Sequence, residues 1–345
     1  MIEGYGPHGE YDSYTDGKRL YSELRGMLDA AGCFRSEGTP YVLHMLAVLV
    51  LYFGGFFVLL LSPEWPLRSV AIVVVSFANI QAGVIAHEAG HGAITRRRWL
   101  MNLICQIFDT FLTALCYAHF QRIHKCHHAH PNEVDRDVDA QSGIFSLYPE
   151  AVAEKQGAFG RFVTRHQHWL IWPLVSLQGF SLKFDSLHTL SELPRKTRID
   201  QFALVLHLLL WFGTPVYALG FLPAVVNYLL MTWLTGPYLG SIFLPNNVGM
   251  YYLKPGERMP YLHQQLITTR NLGTSRLSDV LFGGLNHHIE HHLFPTVSMY
   301  KLAVARRITE HFCQVHKLPY SQMSWFRAME EVFVHLRRIA RNSAK

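Results

Sequence analysis

Several stretches of this chain are too apolar to rest in water, and they limit the fold more than any other feature. Between Tyr41 and Leu61 no Asp, Glu, Lys or Arg occurs. That run matches the ~20 residues a helix needs to cross a bilayer. A second run begins near Arg68 and continues to residue 95, after the turn Ser62-Pro63-Glu64-Trp65-Pro66. Two more, 202–221 and 224–244, are separated only by Leu222-Pro223. Backbone in hydrocarbon must satisfy its own hydrogen bonds. The pattern therefore predicts an all-α integral membrane fold with four transmembrane helices (41–61, 68–95, 202–221, 224–244). Only 16% of the residues are charged, which argues against a soluble protein. Leu100 to Phe120 is also apolar, but Asn102, Gln106 and Asp109 interrupt it. It is expected to lie along the interface or pack under the spans.

Charge sets the orientation. All but one of the 31 Lys and Arg fall in a polar head (1–39), in 96–200 or in 245–345; the exception is Arg68. The positive-inside rule then assigns all three polar segments, and both termini, to the cytoplasm. The domain reading is a cytoplasmic N-terminal head, 1–39, followed by one membrane domain, 40–345, whose parts 96–200 and 245–345 form a cytoplasmic helical cap. Amphipathic helices are expected around Lys18 to Ala31 and Trp325 to Arg341. The net charge of +6 is accounted for by these segments, so no nucleic-acid partner is expected. The head has no apolar signal-peptide core. Five irregularly spaced cysteines imply no disulfide framework.

The chemistry lies in the histidines. His87-Glu88-Ala89-Gly90-His91 closes the second run with two imidazoles at i, i+4. His124, His127 and His128 have offsets 0, 3 and 4, and His288, His291 and His292 repeat them. Isolated histidines such as His44, His207 and His335 read as ordinary packed side chains. Three clusters on one membrane face do not, because closely packed imidazoles gain nothing unless a cation takes their lone pairs. Eight imidazoles suit two metal ions with positions left open. Cys126 reads as a bystander, since imidazole donors suffice. Facing alone does not choose between His287 and His288. Like geometry in the two halves of a two-metal centre favours His288 as ligand, with His287 behind it. Glu88, Glu290 and the Asp135, Asp137, Asp139 set are candidates for orienting the ligand rings, as is His130.

The three groups in this order, around four spans, resemble the membrane-bound fatty acid desaturase family. The stretch from Asn286 to Pro295 looks like the third histidine box of its front-end and bacterial acyl branch. The tail is similar too, from Ser298 through Leu318-Pro319-Tyr320 to His335-Leu336-Arg337. The resemblance implies a non-haem centre of two iron ions held by His87, His91, His124, His127, His128, His288, His291 and His292. It also implies molecular oxygen and removal of two hydrogens from a fatty acyl chain linked to coenzyme A, a carrier protein or a lipid. Many bacterial relatives carry histidine where this chain has Asn247. Asn247 is thus a candidate weak or water-mediated extra ligand. No nucleotide-binding glycine motif or haem-binding domain is evident, so electrons are expected from a ferredoxin or a cytochrome b5-type protein.

Other functions stay open at this level. Hydroxylation, ketolation and acetylenic bond formation use the same scaffold. His87-Glu88-x-x-His91 also fits an intramembrane zinc protease, but that leaves six box histidines unexplained. A metal transporter should carry its ionisable groups along the spans, whereas these cluster at one edge.

Overall fold

The computed structural model describes residues 14–141, 143–155 and 157–342. Among them the regular structure is helical: α1 (Tyr14–Ala30), α2 (Gly38–Leu61), α3 (Trp65–Gly90), α4 (Arg98–Cys105), α5 (Tyr117–Ala129), α6 (Ala151–Glu154), α7 (Gly157–Val175), α8 (Gln178–Glu192), α9 (Arg198–Leu208), α10 (Thr214–Leu219), α11 (Phe221–Asn247), α12 (Tyr261–Thr268), α13 (Arg276–Leu281), α14 (His288–Leu293), α15 (Leu302–Val315) and α16 (Trp325–Asn342). Two π-helical segments, Gln106–Phe111 and Leu209–Gly213, continue α4 and join α9 to α10. Among the described residues, β-structure is confined to two isolated bridges, Glu133 with Leu253 and Asn271 with Gln322.

Among the described residues, three helical stretches are long and apolar enough to cross a membrane: Gly38–Leu61, Trp65–Gly90 and Arg198–Leu219. α11 is as long, at 27 residues, and uncharged. Asn227, Thr232, Thr235 and Gly236 keep its hydropathy below theirs. The second span stops at Gly90 rather than at the arginines that follow. There the Gly92 N–H donates to the Ala89 carbonyl and the Ala93 N–H to the Glu88 carbonyl. This is a Schellman closure with Gly92 at φ +75°, a conformation that suits glycine. The segment after α4 bends through its π turn and ends at Ala114, φ +60°. At ~1.5 Å per residue it is shorter than the ~30 Å hydrocarbon core, so it does not count as a span.

The chain divides into two compact units. One comprises Ser36–Arg122 and Trp172–Ser241. Its spans pack through Leu59, Ala71 and Ile72, with Leu219 and Leu234 against them. Side chains take up the carbonyls that the end of the π segment leaves over. His207 Nδ1 lies 2.7 Å from the Phe111 carbonyl, and the Tyr52 hydroxyl donates to Leu112 at 2.7 Å. The other unit comprises the N-terminal residues to Arg35, Ile123–Ile171 and Ile242–Lys345. Its core joins Leu147, Tyr148, Ile171, Val248, Val332 and Leu336. α1 belongs here: Tyr21 stacks on Phe294 with ring centroids 5.1 Å apart and donates to the Leu293 carbonyl.

Within the spanning unit α11 approaches the α7–α8 connection with no room for a side chain. A Cβ on Gly236 would clash with the Ser176 carbonyl. Gly236→Ala is expected to cost ~1–3 kcal/mol and lower the thermal unfolding midpoint in detergent. Gly26→Ala, on an exposed helix position with open space around it, is expected to raise stability by ~0.5–1 kcal/mol.

Candidate metal centre

α5 and α14 carry six of the box histidines. α5 ends just before Pro131, whose ring disfavours helix in the residue preceding it. α14 runs from an N-cap at His287 to Phe294, and Pro295 stops it. On a helix, residues i and i+4 lie ~40° apart around the axis, whereas i+3 and i+4 lie ~100° apart. An i, i+4 pair can therefore aim at one point while the i+3 residue aims at another. The structure follows that rule. His124 Nε2 and His128 Nε2 are 3.0 Å apart, and His291 Nε2 is 3.1 Å from His128 Nε2. His288 and His292 have ring centroids 4.4 Å apart, with His127 at 4.9 Å from His292. The ligand nitrogens of His127, His288 and His292 lie within 4.8 Å of one another, as do those of His124, His128 and His291. Each trio takes its i, i+4 pair from one helix and its i+3 histidine from the other.

These atoms fit a metal. Two nitrogens bound at ~2.1 Å and a right angle to one ion are ~3.0 Å apart, the separation seen between Nε2 atoms. His292 is fully buried. Its Nδ1 lies 3.0 Å from Gln265 Oε1, and its Nε2 has no hydrogen-bond partner. Burial, then the neighbouring imidazoles of His128, His288, His127 and His291, hold His292 well below the ordinary histidine range. The ring is thus neutral and presents a dry lone pair. His127 differs. Burial opposes its imidazolium, but the carboxylate of Asp137, helped by Asp139, pushes it up to about 9. Its Nδ1 is 3.0 Å from Asp137 Oδ2, so Nε2 is the atom left to face the trio. Asp137, fully buried, also accepts the Asn132 N–H at 2.7 Å. It thereby ties α5 to the loop after it.

The first histidine pair lies in the spanning unit. His87 and His91 have ring centroids 4.7 Å apart at the end of α3. Glu88 is buried, accepts a hydrogen bond from Tyr41, and lies 3.9 Å from His87 Nδ1.

A sequence model of the fatty acid desaturase family matches residues 63–324, more than half of the chain. The chain belongs to the fatty acid desaturase family. Among curated relatives it is 22% identical to an acyl-lipid (9-3)-desaturase of Physcomitrium patens, over 94% of this chain and 63% of that protein. It is 25% identical to the Delta(6)-fatty-acid desaturase fat-3 of Caenorhabditis elegans, over 89% and 71%. It is 27% identical to the Delta(5) fatty acid desaturase fat-4 of the same organism, over 95% and 75%. The chain thus spans roughly two thirds to three quarters of the length of these relatives. Like the family, it is an oxidoreductase with metal-dependent chemistry and an integral membrane protein; the relatives named are all desaturases.

Within this desaturase the remaining candidates take distinct places. Asn247 Oδ1 lies 2.9 Å from His288 Nε2, while its amide donates to the Thr268 carbonyl. His287 turns away from both trios, its Nε2 3.1 Å from Asp279 Oδ1. Burial, against the pull of Asp279, brings His287 down to about 4. Glu290 is fully buried, where Tyr320 Oη and Asn271 Nδ2 each donate to it at 2.8 Å. Burial pushes it up to about 7 against those bonds. His130 leaves the cluster for Glu133, at 2.8 Å. Asp135 is exposed, and Asp139 reaches His127 Nδ1 only at 3.5 Å from a largely exposed position. Sequence reasoning missed Gln265, which also donates to the His128 carbonyl, and with it Asn271 and Asp279. None carries a local signal, since each lies outside the boxes.

Asp137→Ala removes the acceptor that orients His127 and the anchor of Asn132. Metal affinity of the His127, His288, His292 trio is expected to fall ~10–100-fold. Metal retained per chain after graded chelation of the purified protein measures this.

Proposed function

We propose that this chain is an oxygen-dependent, di-iron acyl desaturase whose ligands are His87, His91, His124, His127, His128, His288, His291 and His292. The observation that carries it is the pair of trios, each holding three imidazole nitrogens together and all buried but the half-buried His124. Imidazole also suits zinc and copper; the choice of iron rests on the family. His87 and His91 enter the set from the family's box pattern. Bound iron supplies the oxygen-dependent removal of two hydrogens from an unactivated acyl chain.

The protein's own residues supply orientation and dryness. Asp137 and Gln265 Oε1 each accept a hydrogen bond from an Nδ1–H, of His127 and His292, and leave the opposite nitrogens for metal. Asn247 is the extra ligand, through its amide oxygen or a water, on the His288 side. His287, Glu290 and Glu88 steady the ligand segments rather than bind metal. Burial of His291 and His292 keeps bulk water from the reacting centre. The names of acyl-lipid desaturase relatives favour a lipid-linked acyl substrate over coenzyme A or carrier-protein esters. Electrons come from a ferredoxin or cytochrome b5-type protein.

In the membrane, α11 serves as the fourth span. The head (1–39), 96–200 and 245–345 lie in the cytoplasm, supported by the confinement of Lys and Arg to those segments.

Expression with an electron donor, followed by lipid profiling with and without oxygen, tests the activity. A new double bond should form only with oxygen. Purified protein should hold about two irons per chain, the number that two imidazole trios imply. His288→Ala should lose iron and product, whereas His287→Ala should keep most iron with activity reduced ~10–100-fold at most. The reverse pattern between these two would show the ligand register of the third box to be wrong. Reporter fusions at Met1 and Lys345 should both read as cytoplasmic; a signal from the opposite compartment at either end would refute the orientation.

A further inference from the structure

α7 has two unlike sides. Val163, Thr164, Gln167 and Ile171 are buried. Gln167 fastens that side, donating from Nε2 to the Leu336 carbonyl of α16 at 3.2 Å and accepting the Ser146 N–H at 2.9 Å. On the opposite side Phe159, Phe162 and Trp169 are 75, 55 and 62% exposed. Their spacings of three and seven put them on one stripe. Arg161 and Arg165, also exposed, run along one flank of that stripe, the flank that includes His168. The His168 ring lies 5.3 Å from Phe333 of α16. It is held below its ordinary range by burial, then by the positive charges of Arg337, His166 and Arg341. Arginines of two helices therefore line one seam. Among the described residues none of Arg161, Arg165, Arg337, Arg338 and Arg341 has an acidic partner within ion-pair distance, whereas Arg327 at the other end of α16 has two.

We propose that this aromatic and arginine face of α7 and α16 lies in the headgroup layer of the bilayer and binds anionic lipid headgroups. Large aromatic side chains beside unpaired arginines have the make-up of a helix lying in a membrane interface. Guanidinium groups match phosphate oxygens in a two-pronged fashion. A second copy of the chain on this face would bring four unneutralised arginines (Arg161, Arg165, Arg337 and Arg341) against four more. An acidic soluble protein would match the arginines but would have to cover three exposed rings as well. Only a bilayer surface takes both features together. The inference goes beyond the desaturase reading, because none of these residues belongs to the histidine boxes.

The test uses the full chain in lipid nanodiscs. Trp169 is isolated from the other six tryptophans by subtracting the emission of Trp169→Phe. Discs of phosphatidylcholine brominated near the headgroup, with added phosphatidylglycerol, should quench the Trp169 component. Omitting phosphatidylglycerol should weaken that quenching several-fold, since each arginine near an anionic surface is worth about five-fold in binding. The triple change of Arg161, Arg165 and Arg337 to Gln should do the same. These side chains are exposed, and unchanged circular dichroism and metal content will show that the triple variant is folded. Trp169 emission that brominated lipid leaves untouched in the folded chain overturns the proposal. Quenching equal with and without phosphatidylglycerol overturns it too, by leaving the arginines no headgroup to bind.

Discussion

An α-helix cannot aim adjacent residues at the same point, and the metal centre is built around that limit. Residues i and i+4 converge, but i+3 and i+4 point ~100° apart. A box with offsets 0, 3 and 4 therefore faces two points at once. Neither α5 nor α14 assembles a trio alone; each lends one histidine to the other's pair. The two helices must come side by side with their third histidines crossing over. The Gln265 side chain secures this, touching the His292 ring and the His128 carbonyl at once.

Bringing so many imidazoles into a dry place has an electrostatic cost. Protonated rings would repel, and neutral rings leave lone pairs without partners, as at His292 Nε2. Either state is unfavourable in a buried site. A cation between the rings would resolve both problems, since it takes up the lone pairs and replaces the protons. The surrounding carboxylates are arranged accordingly. Asp137 makes one ring a stronger donor, whereas Glu290 is turned into a hydrogen-bonded network with Tyr320 and Asn271 that holds the α14 backbone in place. α1 closes over the end of α14 through Tyr21, Tyr261 and Phe294.

Much of this was legible before any coordinates. The spans were visible because bilayer thickness demands long uncharged runs. The boxes stood out because offsets of 0, 3 and 4 recur. The ends of elements were less legible. The second span stops at Gly90 because left-handed backbone at Gly92 closes the helix, a feature that the apolar run through Ile94 conceals. Leu100 to Phe120 looks long enough to cross until its π turn and the bend at Ala114 shorten it. Of the acidic run after the second box, only Asp137 is both buried and bonded to a ligand ring; Asp135 points to water.

By itself, then, the sequence determined the membrane class, the helical period of the boxes and the chemical nature of the donors. Each depends only on residue type and on spacing along one helix. The division of six histidines into two trios was a matter for the tertiary structure alone, as were the partnership of His287 with Asp279 and the recruitment of Gln265 to His292. These are contacts between segments distant in the chain. Helical periodicity says which way a side chain points from its own axis, but not what another helix will place in front of it.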